Sequence, residues 1–277
     1  MKKVLSCLVL TLLGLLLPFP AAADMGPKPE ITIVVKNAPQ GEYYLDLLIP
    51  EKNSYDNLRE NREHYDSDKL SLLESMESSG WYPALVRGTN VPLFGDLVGE
   101  AQGNTMVHTF RYYGVPTVFR IAVATPDRRL VVTDPIRKKM FEETITYDFS
   151  TGKMIRESIG KEYLTQFGFT CGATLLIEGL LLLLFGYSFR KNWKPFLLVN
   201  IFTQILLTAT AGSALLFSGL LAAYVCLIAM ELVIAGTEAC LYRKFLVGRS
   251  KARAVVYALA ANAASCAAGF FLIGQGR

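Results

Sequence analysis

Between Phe167 and Gly274 the chain is a succession of apolar runs near twenty residues long, parted by short connections. Helical runs of ~20 residues match the ~30 Å hydrocarbon layer of a bilayer, where a backbone must satisfy its own hydrogen bonds. They lie at 167–189, 195–217, 220–242 and 254–274, and predict an α-helical four-transmembrane bundle. A mean hydropathy of +0.32 and a hydrophobic content of 52% agree with this reading.

Charge divides the chain at the same place. Residues 24–166 carry 17 basic and 21 acidic side chains, whereas residues 167–277 carry 9 basic and 3 acidic. The overall +4 therefore hides two halves of opposite sign and gives no argument for nucleic-acid binding. In the second half the positive charges sit between the spans. Arg190, Lys191 and Lys194 fall in connection 190–194, and Arg243, Lys244, Arg249, Lys251 and Arg253 in connection 243–253, while Ser218-Gly219 has none. The positive-inside bias puts those two connections in the cytoplasm and the C-terminus outside.

The N-terminus agrees with that orientation. Lys2 and Lys3, an apolar stretch from Val4 to Leu17, and Ala21-Ala22-Ala23 have the layout of a cleaved signal peptide, residues 1–23. Beyond Cys7, the cysteines (Cys171, Cys226, Cys240, Cys266) all belong to the membrane half, so residues 24–166 have no disulfide framework.

Residues 24–150 read as an extracytoplasmic β-rich domain, and 151–166 as a juxtamembrane linker. Segments 31–38 and 42–50, joined by Pro39-Gln40-Gly41, predict a β-hairpin, and 106–114, 117–125, 128–135 and 143–150 four further strands. Between the groups, 68–79 predicts a short helix capped by Asp66 or Ser67 and ended by Gly80. The expected fold is all-β and small sandwich-like, with one inserted helix. No catalytic constellation stands out. His64 and His108 have no partners at zinc-site spacing and read as surface or strand-edge histidines. Asp66-Ser67-Asp68 begins like a calcium loop but lacks its glycine and distal glutamate. No metal or cofactor is expected. Tyr43, Tyr44, Tyr112 and Tyr113 read first as core and interface aromatics, and exposed ones beside Arg111 would suit a partner or glycan surface.

The three acidic residues of the membrane half, Glu178, Glu231 and Glu238, all lie inside apolar runs. Ionisable groups at membrane depth are costly and face the bundle interior. Glu178 and Glu231 fall at mid-span, and Glu238 lies two turns (~10 Å) beyond Glu231 on the same face. Asn200 and Gln204 on the second span and Asn262 on the fourth complete a polar cluster on the bundle axis. It reads either as protonated glutamates holding the helices together or as a polar pathway opening toward the cytoplasm. Ala260, Ala264 and Ala268 form a small-residue row for close helix packing on the fourth span.

Two resemblances bear on this picture. Glu238-Ala239 followed by Arg243 is similar to part of the E-E-x-x-x-R helix of CAAX-type intramembrane proteases, but Ala239 replaces its second glutamate and residues 109–277 contain no histidine for the metal. DMGPKP, GEYYLDLL, VPTVFRIAVATPD and VVTDPIRKKMF resemble a set of bacterial membrane proteins with a signal peptide, an exported β-rich head and a C-terminal four-helix region. That resemblance implies the architecture and a bacterial cell membrane, and carries over no activity and no site residue.

The expected function is non-enzymatic: the head binds an extracytoplasmic ligand or another membrane protein, and the bundle anchors or relays. The alternative is a subunit of a transporter or channel working through Glu178 and Glu231. Four helices are few for that task, so this alternative expects a homo-oligomer.

Overall fold

The computed structural model describes residues 27–53 and 55–275; the signal segment 1–23, with Cys7, and the terminal Arg277 lie outside them. Two units divide the described chain, a β-rich one over Lys28–Ile159 and a helical one from Gly160 onward.

The first unit has two sheets. One contains, in spatial order, β10 (Met154–Arg156), β9 (Glu142–Asp148), β1 (Glu30–Lys36), β5 (Thr105–Arg111) and β4 (Glu100–Gln102). The other runs β3 (Tyr82–Pro83), β2 (Tyr44–Ile49), β6 (Val118–Ala124) and β7 (Leu130–Val132), with β8 (Ile136–Arg137) also on β6. Ile33 of β1 sits opposite His108 on antiparallel β5 and Ile145 on parallel β9. Ile31, Ile33, Val35, Phe110, Ile145 and Tyr147 from one sheet join Leu45, Leu47, Phe119, Ile121 and Val123 from the other in a single core.

The expected hairpin between 31–38 and 42–50 does not form, because β1 and β2 belong to different sheets. Their burial explains it. In β1 buried and half-buried positions alternate, whereas every residue of β2 is buried, so β2 needs cover on both faces. Asn37 (φ 49°) and Gly41 (φ 87°) carry the chain across in left-handed conformations. The expected helix is present as α1 (Ser67–Glu74), continued by a 3₁₀ turn over Ser75–Ser79 and stopped by Gly80 at φ 76°. Asp66 caps it, accepting from the Asp68 and Lys69 amides. That cap, with the Asp68–Arg128 ion pair, accounts for the two carboxylates that resembled a calcium loop.

The helical unit contains α2 (Ile159–Leu184), α3 (Phe189–Leu207), a π-helical turn over Thr208–Gly212, α4 (Ser213–Ser218), α5 (Leu220–Phe245) and α6 (Lys251–Gln275). Three stretches, Ile159–Leu184, Phe189–Ser218 and Leu220–Phe245, are long and apolar enough to cross a membrane. Their surfaces are apolar and their interior polar. Leu164, Leu184 and Leu221 are 72, 79 and 75% exposed, against 1% for Glu178 and Glu238 and 0% for Asn200. A water-soluble helical protein has the opposite distribution.

Three boundaries differ from expectation. The linker 151–166 is ordered, since β10 pairs with β9 and α2 begins at Ile159. Residues 190–194 form the first turns of α3, and 243–245 the last turn of α5. Charge disfavours these residues in hydrocarbon but not in a helix, so a hydropathy boundary falls inside the helical one. The turns between helices are tied together. The Asn192 amide donates to the Val247 carbonyl at 3.2 Å and accepts from its N–H at 2.8 Å, and Arg249 donates to the Gly186 carbonyl at 3.0 Å. Both basic connections therefore share one end of the unit.

Candidate functional site

The centre of the helical unit is a connected set of polar side chains. Glu238 on α5 accepts from Thr203 Oγ1 at 2.8 Å and from Asn262 Nδ2 at 2.7 Å, linking α3, α5 and α6 through one carboxyl. Asn200, one turn before Gln204, donates to the Tyr242 hydroxyl at 2.7 Å. Ser265, one turn beyond Asn262, donates to Glu178 Oε1 at 3.2 Å and brings in α2. Gln204 Nε2 donates to Thr174 Oγ1 at 3.0 Å. Glu178, Glu238, Asn200, Gln204 and Asn262 are all buried.

Glu231 departs from that group. It is only half-buried and sits at the wall of a cavity of about 500 Å³, a volume that includes its solvent-open part. Gln166, Thr170, Thr174, Gln204, Thr208 and Ser265 supply the other polar walls. Ser265 thus faces the cavity on one side and Glu178 on the other. The π-helical turn Thr208–Gly212 contributes Thr208, Ala211 and Gly212 to the same wall, and such turns recur at functional sites. A side chain on Gly212 would lie 3.1 Å from Gln166 Oε1, so glycine there leaves the Gln166 amide its place.

The cavity lies in the half of the unit away from the basic connections, whereas the sequence suggested an opening toward them. Aromatic packing is the reason. Tyr187, Tyr242 and Tyr257 pack as tilted rings with centroids 5.4 Å (Tyr242–Tyr257) and 6.0 Å (Tyr187–Tyr257) apart, and Leu182, Phe196, Leu246 and Ala254 complete the plug. The Tyr257 hydroxyl donates to the Glu178 carbonyl at 3.2 Å, fixing the plug to the polar centre. The buried alanines of α6 are Ala254, Ala258 and Ala261, whereas Ala260, Ala264 and Ala268 of the expected row are half-buried.

Thr174, Thr203, Ser265, Tyr242 and Tyr257 were not singled out from the sequence. Helical spacing carries a signal for three: Tyr242 follows Glu238 by one turn, Thr203 follows Asn200 at i+3, and Ser265 follows Asn262 at i+3. Hydroxyls are common enough in membrane helices that spacing without a structure does not single them out.

The β-rich unit carries two further features. His108 is buried, not at the surface, with Nε2 3.0 Å from the Tyr43 hydroxyl, while His64 is exposed. Its neighbours are otherwise largely apolar core, and burial pushes its imidazole down to about 4. On the surface, Phe94, Tyr112 and Tyr113 form a row with ring centroids 4.7 and 4.9 Å apart. Lys28 Nζ lies 4.8 Å from the Tyr113 ring and 3.1 Å from its hydroxyl. Tyr112 has φ +92°, a strained conformation that bulky residues rarely adopt. Tyr43 and Tyr44, by contrast, are core residues.

Among the described residues no group of three His, Cys, Asp or Glu side chains gathers as metal ligands. Compared with known proteins, the chain matches no family model, no curated protein and no solved structure.

Proposed function

We propose that the chain is a non-enzymatic, multi-pass protein of a bacterial cell membrane, whose exported head binds a partner outside the cytoplasm and whose four helices anchor it or relay to a second membrane protein. In this reading a signal peptide is removed, the two sheets close as a sandwich, and α6 is the fourth span. The basic ends of α3 and α5 face the cytoplasm.

The observation that supports a binding head is the row of Phe94, Tyr112 and Tyr113 held in a strained turn. Phe94 and Tyr113 are 43 and 57% exposed. Aromatic anchors dominate the energetics of protein interfaces. Arg111 is exposed next to them in sequence, and Lys28 lies over the rings, so the fitting partner is a protein surface rich in carboxylates. A photo-crosslinking residue at Tyr113 in intact cells should give a discrete adduct that is lost with Arg111→Glu. If Tyr113 gives the same adducts as a probe at exposed Glu51, the head is a spacer.

A subunit of a transporter or channel is the second reading, favoured by the cavity that reaches Glu231 and, through Ser265, Glu178. It expects Glu178→Gln and Glu231→Gln to abolish flux in folded protein reconstituted in vesicles.

A further inference from the structure

Six buried oxygens of the helical unit are unpaired among the described residues; one is the Tyr187 hydroxyl of the plug, and the other five are carbonyl-type oxygens of amides and a carboxyl. Gln166 Oε1, Glu178 Oε2, Asn200 Oδ1, Gln204 Oε1 and Asn262 Oδ1 meet no hydrogen-bond donor among the described residues. Four of them are amide oxygens, which can only accept. Two of the five belong to side chains that line the cavity: Gln204, only 5% exposed, and Gln166. The Glu231 carboxyl faces the same space, with Thr170 and Thr208 beside it. Buried polar atoms in a membrane bundle are ordinarily satisfied, so acceptors converging on one cavity define what would satisfy them.

We propose that this cavity binds a small monovalent cation through oxygen ligands, namely the amide oxygens of Gln166 and Gln204 and the carboxylate of Glu231, with threonine hydroxyls completing the shell. An anion does not fit. Among the described residues no Lys or Arg lines the cavity, and one N–H of the Gln204 amide is taken by Thr174. A divalent cation fits poorly, because Glu231 is the one carboxylate among the lining residues and hard divalent ions draw on several. The tyrosine plug closes the basic end, so the ion enters from the opposite end. Glu178, reached through Ser265, is the next acceptor inward.

The inference rests on the helical unit spanning a membrane and is independent of what the head binds, so a failed partner experiment leaves it standing. The test is thermal unfolding of the full-length protein in detergent micelles. Chlorides of sodium, potassium, ammonium and N-methyl-D-glucamine are compared at equal ionic strength. At least one of the three small cations should raise Tm saturably above N-methyl-D-glucamine, and that ion is the ligand. Glu231→Gln, nearly the same shape, should weaken half-saturation by about tenfold or more, since ligand charge sets cation affinity. Gln166→Leu, nearer the cavity edge, should weaken it as well. Equal Tm in all four salts overturns the proposal, as does an unchanged half-saturation in folded Glu231→Gln.

Discussion

Two buried polar residues of the β-rich unit make the residue scale quantitative. Asp46 is fully buried and its carboxyl accepts from the amides of Leu47 (2.7 Å), Leu85 (3.0 Å) and Val86 (3.1 Å). It thereby ties β2 to the Leu85-Val86 turn that covers it. Asp46→Ala leaves three buried N–H groups without an acceptor, a loss of about 3 kcal/mol, which urea unfolding should show and which an exposed control such as Glu51→Ala should not. Burial lifts the Asp46 carboxyl to about 7 against those three amides. His108 moves the other way, from its ordinary 6.5 to about 4, because burial disfavours its charged form. The unfolded chain therefore binds a proton near pH 6.5 that the native chain refuses. His108 contributes stability that is fully present above 6.5 and is lost as pH falls toward about 4. Wild type minus His108→Gln, followed by thermal unfolding, should show that loss between those two values, and a difference flat in pH would refute it. Gly99 guards the site, since a side chain there would come within 2.6 Å of the ring.

At the scale of elements, legibility followed periodicity. The apolar runs of α2, α3 and α5 were readable because membrane helices announce themselves by length and composition, and α1 because Asp66 and Gly80 mark both its ends. Pairing of β1 and β2 was not readable. A Pro-Gln-Gly link between two β-rich segments fits a hairpin locally, and only the all-round burial of β2 shows that it needs another partner. Site residues divide the same way. Charge in an apolar run exposed Glu178, Glu231 and Glu238, but which helix faces which is long-range information, so the direction of the cavity and the tyrosine plug stayed hidden. The helix contacts also separate two glutamates that look alike in sequence. Glu238 accepts from Thr203 and Asn262, one donor on each oxygen. Glu178 accepts from Ser265 on Oε1, and its Oε2 has no donor among the described residues. A leucine at 238 leaves the buried Asn262 NH₂ and Thr203 hydroxyl without their shared carboxyl, whereas one at 178 removes only the longer Ser265 bond. Glu238→Leu should therefore lower bundle stability by about 1–3 kcal/mol and Glu178→Leu by less, compared by denaturation of the full chain in micelles. Equal losses would mean that the two carboxyls share one role.

At the scale of the whole molecule, the arrangement of charge decides how the chain sits in a bilayer. Arg190, Lys191 and Lys194 on α3, Arg243 and Lys244 on α5, and Arg249, Lys251 and Arg253 after it gather at one end of the helical unit, held there by the Asn192–Val247 and Arg249–Gly186 bonds. Trp193 is 45% exposed at the same end, where tryptophan commonly marks the boundary of the hydrocarbon. Moving eight positive charges across a membrane opposes the usual potential, which is the ground on which the proposed topology puts this end in the cytoplasm. Ser250, exposed between α5 and α6, reports on it directly. In a background without native cysteines, a cysteine at Ser250 should resist a membrane-impermeant maleimide in intact cells and react once they are permeabilised. One at exposed Glu51 should react in both. Labelling of Ser250→Cys from outside would reverse the bundle. The cavity beside Glu231 would then open to the cytoplasm, and any ion it binds would come from the cell's own pool instead of the medium.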